Sequence, residues 1–129
     1  MVYIRPEQDA DLTTIRAVNQ DAFGGIAEAD LVDALREGGF AMVSLVAIIE
    51  STVVGHILFS PVTIADREMR VSAVSLAPMA VQPAFQRQGI GSQLVNAGLE
   101  ACKQHRQQIA VVLGPVSYTH LTLPTTPYV

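Results

Sequence analysis

The spacing of apolar and polar positions predicts alternating strands and helices from the first residues onward. Val2 and Ile4 alternate with polar neighbours as a short strand that ends at Pro6. A helix capped by Asp9 is expected next, and Gly24-Gly25 ends it. Its apolar positions recur at helical spacing and are Leu12, Ile15, Val18 and Ala22.

A second amphipathic helix is predicted between Gly24-Gly25 and Gly38-Gly39. Glu28 and Asp30 fall in its first turn, where the helix dipole favours acidic side chains. We expect Leu31 and Leu35 to form its inner face. The second glycine pair supplies the helix end.

Three β-type segments follow, separated by short turns at 50–52 and 65–68. They are Ala41–Ile49, Val53–Ile64 and Met69–Val81. Consecutive strands joined by short connections pair antiparallel, so we expect a meander.

The pattern turns helical again from Gly89 to His105 and then gives a β-branched run, Ile109–Leu113. Gly98 inside this helix costs about 1 kcal/mol relative to alanine, and close packing against the sheet is the expected reason. The predicted order is β-α-α-β-β-β-α-β, a mixed α/β class with a central mixed sheet flanked by helices. The stripe of this helix is predicted as Ile90, Leu94, Ala97 and Ala101.

Composition narrows the class of protein. The chain has 129 residues, half of them apolar, which suits one domain. The net charge of −4, without a basic run, argues against a nucleic-acid partner. No apolar stretch is long enough to cross a membrane, and the N-terminus lacks the segments of a signal peptide, so we expect a cytoplasmic protein. The single cysteine, Cys102, rules out an intrachain disulfide, and no cluster of zinc ligands is present, so no metal is expected.

The C-terminal residues differ from the rest. Val116–Val129 contains no charged residue, and the string resembles a translated sequencing adapter rather than a natural arm. We therefore expect residues 115–129 to be a non-native tail and residues 1–114 to be a domain that is cut off before its end.

The segment from Ser75 to Ser92 carries the specific chemistry. Pro78 cannot donate to a sheet ladder, so its strand must bulge and leave backbone groups of Met79 and Val81 free. The turn Gln86–Gly91 then leads into a helix, whose first N–H groups form an anion site with Arg87 nearby. A dinucleotide fingerprint fails because Leu94 stands at its last position, and a P-loop lacks its G-K-[ST].

These residues resemble the GNAT superfamily of N-acetyltransferases. Gln86, Gly89 and Gly91 match its Q/R-x-x-G-x-G/A motif, after a bulged strand and a V-x-P spacing at Val81 and Pro83. The run from residue 3 to 114 is similar to the YhbS-like branch, including VVGHILFSPV and EADLVDALR. The resemblance implies a GNAT-like fold with acetyl-CoA as co-substrate. Because the family continues after the fifth strand, the resemblance also implies that the last helix and strands are missing from residues 1–114 and that turnover of this chain is impaired.

The resemblance also implies the site. Backbone groups of the bulged strand would bind the pantetheine arm, and the turn with the Arg87 side chain would hold the pyrophosphate. The implied cofactor-binding residues are Met79, Ala80, Val81, Gln86, Arg87, Gln88, Gly89, Ile90, Gly91 and Ser92. Acetyl would pass directly to a primary amine of a small molecule or protein in a ternary complex, and a homodimer of the parent stays open.

Two residues are candidates for proton transfer, because the family's usual acid on the fourth strand is absent from Met69–Val81. His56 could accept the amine proton, although a hydrogen-bonded core histidine is the more common situation. Glu28 opens the helix that bounds the acceptor in this family, or is simply a dipole-stabilising acid. The missing acid also leaves an alternative function, a non-catalytic acyl-CoA-binding or sensing module.

Overall fold

The computed structural model describes residues 1–66, 69–104 and 111–113, with the side chains of 63–66, 69–72 and 111–113 excepted. The predicted order of elements is confirmed. A 3-10 turn, Asp9–Asp11, precedes the first α-helix. The elements are β1 Tyr3–Pro6, α1 Leu12–Phe23, α2 Ala27–Glu37, β2 Val43–Ile49, β3 Thr52–Asp66, β4 Met69–Val81, α3 Ile90–Gln104 and β5 Val111–Leu113.

Within the described residues, one sheet contains the five strands in the order β1-β2-β3-β4-β5. β2, β3 and β4 form the antiparallel meander that the short turns predict, β1 joins it antiparallel to β2, and β5 pairs with β4 in parallel. The turn between β2 and β3 has Glu50 and Ser51 in left-handed conformations, with φ of 50° and 67°. Two such residues match the twist of a tight hairpin.

Helices cover both faces of the sheet. Leu45, Ile57 and Phe59 belong to a core under α3, whereas their neighbours Val46 and Leu58 pack under α1 and α2. This alternation along β2 and β3 is that of strands buried on both faces. The two helical layers therefore meet different side chains of the same strands.

Two predictions about the first helices are wrong. Asp9 does not cap α1, because the chain first makes the 3-10 turn. Asp11 closes that turn, since its carboxylate accepts the backbone N–H of Gln8 at 2.7 Å and pairs with Arg5. Leu31 is not on the inner face of α2, because its side chain is 45% exposed.

The buried positions of α2 are Ala29 and Val32, with Leu35 packed beside them. Leu35 is thus on the inner face as predicted, whereas Val32 takes the place predicted for Leu31, one residue or about 100° around the helix.

Helix α3 packs closely on the sheet through Gly98. A Cβ at this position would lie 2.9 Å from Cζ of Phe59, so the predicted reason for the glycine is confirmed. The fully buried stripe is Ile90, Leu94, Gly98 and Cys102, while the predicted members Ala97 and Ala101 are half-buried beside it. Burial raises the pKa of the Cys102 thiol to about 11.

Several predictions concern residues outside the described ones, namely the start of the last strand at Ile109 and the tail 115–129 with its boundary. Among the helices that the structure describes, none is long and apolar enough to cross a membrane. No group of three or more potential metal ligands occurs within the described ranges.

Candidate active site

Strand β4 carries the bulge that Pro78 predicts. Ile57 of β3 faces Met79, but Phe59, two residues further along β3, faces Leu76. Three residue steps on β4 therefore oppose two on β3, which is the signature of a β-bulge. The extra residue falls at Ala77–Pro78, where proline has no N–H to give to the ladder.

Beyond the bulge, one edge of β4 faces away from β3. The N–H of Gln82 donates to the carbonyl of Val54 at 2.8 Å, so the neighbouring pair Gly55–Val81 is of the non-hydrogen-bonded kind. The same alternation turns the N–H and C=O groups of Val81 and Met79 away from β3. On that side β5 pairs with β4 over Val74–Leu76, short of this edge in the part of the chain described.

The chain leaves β4 through a tight turn that a side chain ties back to the strand. The amide Nε2 of Gln86 donates to the carbonyl oxygen of Val81 at 2.9 Å. Arg87 and Gly89 have positive φ, 65° and 85°. A non-glycine residue in the left-handed region costs about 1–3 kcal/mol, and such strain is concentrated at functional sites.

The turn places the N-terminus of α3 beside the open edge of β4. The first helical bond runs from the N–H of Gln93 to the carbonyl of Gly89 at 3.1 Å. The amides of residues 90–92 precede it, where a helix has no acceptor of its own. A Cβ on Gly91 would lie 3.3 Å from Cε of Met79, so glycine allows the helix end to approach β4 closely.

Two grooves meet at Met79, Arg87 and Gly91. The first, which we call the α1 groove, has a volume of about 250 Å³ and lies against the end of α1. The second, the α3 groove, has about 540 Å³ and follows the first turns of α3. The α1 groove is lined by Ala22, Phe23, Met79, Ala80, Val81, Phe85, Gln86, Arg87, Ile90 and Gly91, and the α3 groove by Met79, Arg87, Gly89, Gly91, Ser92, Val95 and Asn96.

Nine of the ten predicted cofactor residues line these grooves, and Gln88 lies in the turn between its lining neighbours without lining either. The donor set fits a ligand with a phosphate group and an amide arm. Helix N–H groups and a guanidinium suit phosphate oxygens, and the open β4 edge supplies backbone donors and acceptors. Arg5, Arg16 and Arg36 form ion pairs, whereas none is found for Arg87 among the described side chains.

His56 lies in the core and lines neither groove, although it pairs across the strands with Ala80 of the α1 groove. Its ring is 0% exposed and hydrogen-bonded at both nitrogens, with Ser44 Oγ 2.9 Å from Nε2 and Asn19 Nδ2 3.5 Å from Nδ1. Burial lowers its pKa to about 4, since the charged ring would lose its water. This is the placement of a hydrogen-bonded core histidine, which was the alternative to a general base.

Glu28 lies in the first turn of α2, as expected, and is half-buried. It lines neither groove. The structure therefore does not bring Glu28 to the predicted cofactor residues, and it brings His56 to one of them, Ala80, only as a buried cross-strand neighbour.

Sequence reasoning missed two polar arrangements. Ser44 donates to Glu7 at 2.5 Å, and Glu7 pairs with Arg36, so the neighbours of His56 come from β2, the end of β1 and α2. Gln82 bonds the carboxylate of Asp21 at 2.9 Å, 61 residues away. Neither arrangement has a local sequence pattern that would reveal it.

A family profile, a sequence relative and two solved structures all give the same family for this chain. The profile of the Acetyltransferase (GNAT) family matches residues 12–118. The uncharacterized N-acetyltransferase YhbS of Escherichia coli K12 is 37% identical over 118 residues, which cover 90% of this chain and 70% of that protein.

Two solved structures are similar in fold and sequence. A GNAT family acetyltransferase from Brucella melitensis, in complex with acetyl-CoA, has a TM-score of 0.78 and 32% identity and is matched over 98% of this chain and 90% of its own. The YhbS structure from Escherichia coli, in complex with CoA, has a TM-score of 0.78 and 33% identity, over 92% of this chain and 66% of that one.

Proposed function

The chain belongs to the acetyltransferase (GNAT) family, and we propose that its two grooves hold acetyl-CoA while an acceptor amine enters the α1 groove. Its function is N-acetyl transfer with acetyl-CoA as co-substrate, as the family and the relatives solved with acetyl-CoA or CoA indicate. The observation that carries the proposal is the continuity between the open β4 edge and the N-terminus of α3 across Met79 and Gly91.

Each part of the site has a distinct task in binding. The outward N–H and C=O groups of Met79 and Val81 bond the amide arm of the pantetheine, in the manner of an added strand. The amides from Arg87 to Ser92, with the Arg87 guanidinium, hold the pyrophosphate. Gln86 fixes the turn at the right distance from the strand by its bond to Val81.

Transfer is direct within a ternary complex. The bulge leaves a backbone N–H near Met79 to donate to the acetyl carbonyl, where negative charge develops as the amine attacks. A fixed backbone donor needs no reorganisation during the reaction. His56 is not the base in this proposal, because its buried ring lines neither groove and its lowered pKa, about 4, makes it a weak proton acceptor.

The test begins with cofactor binding. Isothermal titration of the full chain with acetyl-CoA should show binding that Arg87→Glu weakens strongly. Lys103→Glu reverses a charge at the far end of α3 and should leave binding unchanged. No heat of binding to the unmodified chain would sink the proposal.

A second measurement separates the enzyme from a sensing module. Thiol release from acetyl-CoA in the presence of an amine panel is expected for a transferase, whereas a sensor binds without producing free CoA. The choice between a small-molecule and a protein amine, the homodimer, the cytoplasmic location and the absence of nucleic-acid and membrane partners stay predictions from the sequence.

A further inference from the structure

Helix α2 has a second apolar side, which points away from the core. Ala27, Leu31 and Ala34 are all exposed, and their spacing along the sequence puts them on one side of the helix. Gly38 follows one turn after Ala34 and extends this side to the helix end. The opposite side already packs on the sheet through Val32. A surface helix that packs on one side only would have polar residues on its other side.

The ring of Phe40 continues this apolar side past the end of the helix. A Cβ on Gly38 would lie 2.8 Å from Cδ2 of Phe40, so the ring rests on this glycine. The backbone holds Phe40 there, because its N–H donates to the carbonyl of Leu35 at 2.8 Å. We call the resulting surface the outer face of α2, and its residues are Ala27, Leu31, Ala34, Gly38 and Phe40.

Large exposed apolar side chains are concentrated around this surface. Within the described part of the chain, six such side chains are exposed, and four of them lie on α2 or close to its ends. They are Phe23, Ile26, Leu31 and Phe40, with exposed fractions of 45%, 59%, 45% and 52%. A single exposed apolar residue is ordinary, but a continuous group marks an interaction surface.

Acidic side chains border the outer face of α2. At about 100° per residue, Asp30 and Glu37 lie along one edge and Glu28 along the other. The helix has four acidic residues and one arginine. Among the described side chains, Asp30 pairs with Arg16, whereas Glu28 and Glu37 form no ion pair. A partner that covers the face therefore meets negative charge on both edges.

This charge argues against a second copy of the chain as the partner. Two antiparallel α2 helices related by a two-fold axis would bring the acidic edge of one copy against the same edge of the other, and like charges repel. The surface is also small, since the helix is about 16 Å long and about 10 Å wide, whereas a stable interface takes about 800 Å² from each partner. A single segment of opposite charge fits both limits.

We propose that the outer face of α2 docks a helical segment of another protein, one whose apolar side is bordered by lysine or arginine. The small residues Ala27, Ala34 and Gly38 let a second helix approach closely, and Leu31 and Phe40 supply the large apolar contacts. The net charge of −4 attracts such a cationic segment. None of these five residues lines the α1 or the α3 groove, so the inference is independent of the proposed acetyl transfer.

A model peptide tests this surface by binding alone. The probe is the peptide LKKLLKLLKKLLKL with a fluorescein label, and its helix has leucine on one side and lysine on the other. Fluorescence anisotropy should show that the probe binds the full chain at low salt and binds more weakly as salt is added. The matched peptide LEELLELLEELLEL, with glutamate in place of lysine, should not bind.

Paired variants locate the docking site on the chain. Leu31→Ser should raise the Kd for the probe about tenfold, because a central apolar contact is lost. Tyr3→Ser removes an exposed apolar side chain from β1 and should leave the Kd unchanged. Glu37→Lys reverses the charge at one edge and should raise the Kd about fivefold, whereas Glu50→Lys makes the same change in the exposed turn before β3 and should have much less effect.

Two further measurements separate docking from damage to the fold. Urea unfolding should show that the variants stay folded, and a lysine in the last turn of α2 suits the helix dipole. Should Leu31→Ser not fold, the comparison of Glu37→Lys with Glu50→Lys decides the question. Titration with acetyl-CoA should give the same Kd for Leu31→Ser as for the unmodified chain, because the outer face of α2 and the grooves share no residue.

The proposal is overturned if the lysine probe does not bind, or if Leu31→Ser and Tyr3→Ser bind it equally well. Equal binding of the two peptides would overturn the assigned charge of the partner. A chain that sediments as a dimer, and as a monomer after Leu31→Ser, would make a second copy the occupant of the face and would also overturn the proposal. Failure to bind acetyl-CoA would remove the proposed function and leave this inference standing.

Discussion

The side-chain amide of Gln86 donates a hydrogen bond of 2.9 Å to the carbonyl oxygen of Val81, five residues back along the chain. The bond joins the turn before α3 to the open edge of β4 at the point where the two grooves meet. The side chain of Gln86 thus holds the turn in place by bonding to the protein backbone. A carbonyl oxygen has a second lone pair, so Val81 can still accept from a ligand.

Removal of this bond should weaken cofactor binding more than it weakens the fold. We expect Gln86→Leu to raise the Kd for acetyl-CoA about fivefold, because a net hydrogen bond is worth about 1 kcal/mol and the turn is held by few others. Isothermal titration measures the change. Gln93→Leu, on the exposed side of α3, should bind like the unmodified chain. Equal loss in both variants would assign no special role to Gln86.

Arg87 should show opposite effects on stability and binding. Its φ of 65° costs about 1–3 kcal/mol, which exceeds the entropic cost of glycine, about 0.5–1 kcal/mol. Arg87→Gly should therefore raise the free energy of unfolding by about 1 kcal/mol, while acetyl-CoA binding falls because the guanidinium is lost. Urea unfolding and titration measure the two quantities.

The matched control for Arg87→Gly is Glu50→Gly, since Glu50 has a similar φ of 50° in the turn between β2 and β3. It should stabilise the chain without changing the Kd for acetyl-CoA. If Arg87→Gly were less stable than the unmodified chain, the left-handed conformation of Arg87 would not be a cost to stability that binding offsets.

The features that the sequence predicts correctly are those with a local cause. A proline inside a strand dictates a bulge by itself, and glycines at a strand–helix junction dictate a turn, so the Pro78 bulge and the Gln86–Gly91 turn follow from neighbouring residues. The buried face of α2 does not follow from neighbouring residues. Leu31 and Val32 both fit an apolar stripe, and which of them is buried depends on how the helix packs against distant strands.

Polar contacts across the fold are harder still to predict. Asp21 and Gln82 are both ordinary surface residues by sequence, and their contact exists because α1 ends beside the end of β4. His56 is similar, because its partners Ser44 and Asn19 lie on different elements. The burial of His56 among these partners identifies it as a core residue and not as a base. The spacing of residues in the sequence does not predict that burial.

Gly98 provides a direct test of the packing under α3. Alanine is the better helix former by about 1 kcal/mol, but its Cβ would lie 2.9 Å from Cζ of the buried Phe59. Overpacking costs about 1–3 kcal/mol, so Gly98→Ala should lower the free energy of unfolding. Urea denaturation measures the loss. In a double-mutant cycle, Gly98→Ala should cost less stability in a Phe59→Leu background than in the unmodified chain. Additive losses would argue against the contact.

The buried His56 predicts how stability depends on pH. Ser44 donates to Glu7 and so accepts from Nε2–H of His56, which leaves the neutral ring as the form that fits the core. The pKa of His56 is lowered from 6.5 to about 4 by burial, with the Glu7 carboxylate opposing this shift and Arg36 adding to it. Below pH 6.5 the unfolded chain binds a proton that the folded chain refuses, so stability falls as the pH drops towards 4.

The expected loss from His56 is about 2 kcal/mol between pH 6.5 and 5, at about 1.4 kcal/mol per pH unit. Glu7 contributes in a lower range, because its pKa is lowered, so the stability from its ion pair is kept above pH 4.5 and lost below it. Urea unfolding at pH 7.5, 6.5, 5.5 and 5 should give a falling free energy for the unmodified chain and a flatter one for His56→Gln. His105 and His120 are present in both proteins, so the difference in slope isolates His56. Parallel slopes would mean that His56 takes up its proton in the folded chain as readily as in the unfolded one.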